Sequence, residues 1–88
     1  MDTTQLKADA KEAAQKAVDM EDTQKYDEAV RFYKKAISYL NIIVENEWNK
    51  YSKDTFSKKL KDYEDRVDYL LKLIESKNNP KKEKVGGK

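Results

Sequence analysis

The chain has no cysteine and no histidine. The first absence removes disulfides and thiolate metal sites, and the second removes the commonest metal ligand and the side chain best suited to proton transfer near neutral pH. Carboxylates, lysines and hydroxyls are then the only groups left for catalysis. The sequence gathers them into no glycine-rich phosphate loop, no nucleophile-and-base pair and no metal-ligand cluster, so neither an enzyme nor a cofactor is expected. Glycine (two) and proline (one) are scarce, which starves the turns that an all-β fold needs. No apolar run approaches the roughly 20 residues of a membrane span. The start, Met1-Asp2-Thr3-Thr4, is acidic and polar rather than signal-like, so the expectation is a cytoplasmic chain without direct membrane insertion.

What is present points to helices. The chain has 88 residues, a single domain by length, and 41% of them are charged against 38% hydrophobic, so its core must be thin. Charge is unevenly spread. Residues 77–88 hold five lysines against one glutamate, +4, so of the overall +2 the first 76 residues carry −2. A nucleic-acid binder would concentrate its cations on the folded body, and this body is not basic; nucleic acid is not an expected partner.

Three segments repeat apolar residues at helical intervals. In the first, roughly Thr4 to Glu21, Leu6, Ala10, Ala13, Ala17 and Met20 share a stripe with Ala14 and Val18 on its flank, and Thr3 or Thr4 is a candidate N-cap. In the second, roughly Tyr26 to Trp48, the stripe runs through Tyr26, Ala29, Val30, Tyr33, Ala36, Ile37, Leu40, Val44 and Trp48 and is widened by Phe32, Tyr39 and Ile43, which predicts a central helix with two neighbours. In the third, roughly Asp54 to Ser76, Phe56, Leu60, Tyr63, Val67, Leu70 and Ile74 form a heptad seam. Polar connections at 22–25 and 49–53 are short enough for antiparallel packing. The expected fold is an all-α, antiparallel three-helix bundle over residues 1–76. Asn78-Asn79-Pro80 stops the last helix, and 77–88 reads as a flexible basic linker.

Alanines at 8, 10, 13, 14 and 17 lower the profile of the first helix. At about 100° per residue, one flank of the third seam carries Lys59, Arg66, Tyr69 and Leu73, and the other carries Glu64, Asp68 and Leu71. Both flanks have apolar groups to spare. If the first flank faces helix one, a shallow alanine trough walled by Tyr69 and Leu73 and rimmed by charge results, a common mark of a protein-binding site.

The run from Lys25 to Leu40, with Tyr26, Ala29, Tyr33, Ala36 and Ile37 at its fixed spacings, is followed by Tyr63, Arg66, Asp68 and Leu70 and preceded by Ala17 and Glu21. This combination resembles the microtubule-interacting and trafficking (MIT) domain over about residues 5–76, most closely that of vacuolar-sorting and archaeal cell-division AAA ATPases. Helix two alone is also similar to tetratricopeptide hairpins, but only one copy of the pattern occurs, whereas a solenoid needs about three repeats.

The resemblance implies a monomeric module that binds C-terminal tail peptides of ESCRT-III-type subunits and is recruited to membranes through them. In the family, a helical motif lies between helices two and three, and an extended, proline-containing motif between helices one and three. Carried over by position, the first groove receives Glu64, Asp68 and Leu71. The second receives Ala10, Ala14, Val18, Lys59, Arg66, Tyr69 and Leu73. Users of the first groove often have leucine where this chain has Glu64, which favours the groove between helices one and three. Many relatives also have glycine or asparagine where this chain has Gln24-Lys25. The alternatives from the residues are a structural or self-associating helical piece, and the same module on a trafficking adaptor that is not an ATPase.

Overall fold

The computed structural model describes residues 3–78, which form three α-helices and no strand: α1 (Thr4–Asp22), α2 (Tyr26–Asn46) and α3 (Lys50–Asn78). Connections at 23–25 and 47–49 reverse the chain twice, so α2 runs antiparallel to both neighbours while α1 and α3 run the same way. This is the three-helix bundle that the periodicity predicts.

α2 is the central helix because its apolar arc is wide enough to face two partners. Ala29, Val30, Tyr33, Ala36, Leu40 and Ile43 are all buried along it. On α1, by contrast, every buried residue is an alanine: Ala10, Ala13, Ala14 and Ala17. Ala13 and Ala14 meet Ala36, and Ala17 joins the cluster of Ala29, Val30 and Tyr33, so small side chains let α1 lie close against α2. Between Leu6 and Met20, near its ends, α1 then has no large buried side chain to send toward a third helix. No Cα of α1 comes within 8 Å of a Cα of α3.

α3 is fixed to α2 by buried Val67 and Leu70, with Leu60, Tyr63 and Ile74 half-buried around them. Leu70 is wholly enclosed, worth about 1.5–3 kcal/mol relative to an exposed leucine. Tyr63 packs against all three apolar clusters and so ties the two halves of the core together.

The helix ends differ from expectation in instructive ways. Thr3 stands at the N-cap of α1, but its side chain makes no capping bond. At the other end the amide of Lys25 donates to the carbonyl of Met20 (2.8 Å) and that of Gln24 to Glu21 (2.9 Å), the paired bonds of a Schellman stop. That motif requires a left-handed residue, and Gln24 supplies it at φ 63°. A glutamine side chain is strained in that region, which glycine occupies freely.

Two corrections concern the second connection. Trp48 is not on the apolar stripe of α2; it lies in the linker and is 96% exposed. α2 ends at Asn46, whose side-chain amide donates back to the carbonyl of Ile42 (2.9 Å), and Glu47 is already extended. α3 begins at Lys50 rather than Asp54, because Asn49 acts as its N-cap: the amide of Ser52 donates to Asn49 Oδ1 at 3.0 Å. α3 also continues through Lys77 and Asn78, past the expected end at Ser76. The rest of the basic segment lies outside the described residues.

Candidate functional site

The wide backbone spacing between the outer helices leaves a furrow of about 400 Å³. One wall is α1, through Lys7, Ala10, Lys11, Ala14, Gln15 and Val18; the other is α3, through Phe56, Lys59 and Tyr63. Leu40 and Ile43 of α2 form the floor. The wall residues of α1 recur at intervals of three and four, so one helical face is presented to the gap. Its alanines make the gap deep, and Val18, 41% exposed, leaves apolar surface at its far end.

Polar links hold the walls at both ends. At the start of α1, the Lys7 amine lies 3.6 Å from the Glu47 carboxylate and 5.4 Å from the centre of the Phe56 ring. One turn beyond Val18, the half-buried carboxylate of Glu21 receives the Tyr33 hydroxyl at 3.0 Å and Arg66 Nε at 3.0 Å, and a terminal nitrogen of Arg66 pairs with its second oxygen. Arg66 in turn covers the Tyr69 ring at 4.8 Å. Tyr33 and Tyr63 meet with ring centres 5.7 Å apart. Burial pushes both hydroxyls above the ordinary tyrosine range, and the neighbouring charges of Asp22 on Tyr33 and Asp62 on Tyr63 add to it.

The seven residues expected in this groove are therefore divided. Ala10, Ala14, Val18 and Lys59 line the furrow. Arg66, Tyr69 and Leu73 do not. Arg66 reaches across to Glu21 and closes the furrow beyond Val18, Tyr69 stays half-exposed beneath it, and Leu73 is half-buried against the cluster built on Leu70. On the opposite flank of α3, Glu64 and Asp68 are exposed and Leu71 is 43% exposed.

Sequence reasoning missed Lys7, Lys11, Gln15, Phe56 and Tyr63 as wall residues. The signal was available: residues 7, 11, 14 or 15 and 18 share one face of α1, and an alanine-only seam cannot carry that face into contact with α3.

An apolar furrow rimmed with charge commonly marks a protein-binding site. The family model of the MIT (microtubule interacting and transport) domain matches residues 8–72, and the chain belongs to that family. A comparison with curated proteins finds no match. MIT domains are non-catalytic and bind peptide motifs of their partners. No helix among the described residues is long and apolar enough to cross a membrane.

Proposed function

We propose that this domain recruits the protein it belongs to onto membrane-remodelling or cell-division filaments by holding an extended, proline-containing tail segment of an ESCRT-III-type subunit between α1 and α3. The observation that carries this reading is the furrow itself, with an apolar floor and walls that share no close backbone contact. A strand or polyproline-like segment is slimmer than a helix and lies in such a furrow with its outer main-chain groups still solvated. The likeness to vacuolar-sorting and archaeal cell-division proteins favours an AAA ATPase as the parent.

Amide shift mapping with two tail peptides, one helical and one proline-containing, tests the assignment. The proline-containing peptide is expected to move the amides of Ala10, Ala14 and Val18, and Val18→Asp is expected to weaken it at least about tenfold, since a charge placed on an apolar contact is left unpaired. Val18 is exposed enough for helical circular dichroism to stay unchanged. Shifts confined to Glu64, Asp68 and Leu71 would move the site to the other flank of α3.

A further inference from the structure

The rim of the furrow is of one sign. Lys7 and Lys11 stand on the α1 wall and Lys59 on the α3 wall, and no acidic side chain lines the gap between them. Lys11 and Lys59 have no ion-pair partner among the described residues, so their charges are uncommitted; Lys7 alone is shared with Glu47. Two acids stand at the ends of the furrow: Glu47 pairs with Lys7, and Glu21 is satisfied by Tyr33 and Arg66.

We propose that the furrow reads charge: it takes an extended apolar segment with acidic residues at alternate positions, whose carboxylates meet Lys7 and Lys11 along one wall and Lys59 on the other. This rests on the peptide-site reading given above and adds the chemistry of the guest. The spacing follows from two rises. Four residues of α-helix advance about 6 Å, which separates Lys7 from Lys11 along the wall. Two residues of extended chain advance about 6.6 Å, and residues two apart project to the same side. A guest lying along α1 thus sends every second side chain to the floor of Leu40 and Ile43 and the others to the lysines. From Lys7 to Val18 the wall is about 16 Å long, room for about five extended residues. The chain's own basic end is excluded as the occupant by its sign, since residues 77–88 carry five lysines against one glutamate.

Calorimetric titration of the 88-residue chain with synthetic peptides tests this. One peptide alternates glutamate with leucine, valine and proline, a second has glutamine for each glutamate, and a third keeps the composition but places the glutamates side by side. The alternating acidic peptide is expected to bind about tenfold tighter than the glutamine peptide at low salt, since each exposed ion pair contributes about a few-fold. The advantage should fade as salt rises. The double variant Lys11→Glu with Lys59→Glu should abolish the preference or invert it toward a lysine-alternating peptide. Equal affinity for glutamate and glutamine peptides, with Ala10 and Val18 amides still shifting, would overturn the charge reading and leave the furrow as a peptide site. Equal affinity for the alternating and side-by-side peptides would overturn the spacing argument. No binding by any peptide would remove both readings, and anionic lipid vesicles that capture the chain through Lys11 and Lys59 where peptides fail would do the same.

Discussion

Removing the Glu21 carboxylate should loosen the bundle more than any other change to a polar side chain. It is the meeting point of all three helices: Glu21 belongs to α1, Tyr33 to α2 and Arg66 to α3. The magnitude can be built from its parts. A hydrogen bond to a charged acceptor contributes about 1.5–3 kcal/mol, and the half-buried Tyr33 hydroxyl sits at the low end, near 1.5. The Arg66 fork is partly solvated, with 44% of the side chain exposed, so its pair is held to about 0.5–1 kcal/mol. Glu21→Ala is then expected to destabilise by about 2–2.5 kcal/mol, lowering the thermal midpoint by roughly 8–20 °C for a domain of this size. Glu21→Gln keeps an acceptor for Tyr33 but loses the charge and the second oxygen that accepts from Arg66, so about 1 kcal/mol is expected. Urea unfolding followed by helical circular dichroism, with a double-mutant cycle on Glu21→Ala and Arg66→Ala, measures both numbers. A change of less than about 0.5 kcal/mol for Glu21→Ala, with no coupling to Arg66, would refute the claim that this cluster fastens the outer helices.

Gln24→Gly should raise stability by about 1 kcal/mol, because glycine occupies the left-handed region without the steric penalty that glutamine carries there; a loss in urea unfolding would contradict the Schellman assignment. The tyrosines predict an alkaline limit. Folding raises the pKa of Tyr33 and Tyr63 above the ordinary value of 10.0, so the folded state prefers the protonated hydroxyl. The stability this confers is full below that value and is lost as pH rises through the folded pKa. Ultraviolet titration of tyrosinate should show two late-ionising groups alongside an unfolding transition, and Tyr33→Phe should remove one of them. Normal titration of all six tyrosines would refute it. Trp48→Ala should leave stability within about 0.5 kcal/mol in the same unfolding assay, because its ring is in water.

Much of the architecture was legible because the apolar periods were long and the connections short. The wide arc of the second segment identified the central helix, and the heptad seam of the third placed Val67 and Leu70 in the core. Boundaries were less so. Trp48 continued a helical spacing, yet two asparagines decided the corner: Asn46 folds back on the end of α2 and Asn49 starts α3, and local side-chain bonds of this kind outweigh the drive to bury one ring. The alanines of the first helix suggested a trough walled by Tyr69 and Leu73, whereas the furrow beside them is walled on α3 by Phe56, Lys59 and Tyr63. Its extent along α3 was not legible, because projecting residues onto a wheel gives direction around the axis but not which long side chains reach across. Arg66 shares a flank with Lys59, yet it is turned to Glu21 and to the Tyr69 ring rather than lining the gap.

The alanine seam of α1 has a further effect on dynamics. α1 and α3 share no close backbone contact, so α1 is packed chiefly on α2, through alanine methyl groups, and its amides report any local lifting of that helix from the bundle. A guest gripping both walls would suppress that opening, so proton exchange on α1 would report occupancy even where the average backbone does not move.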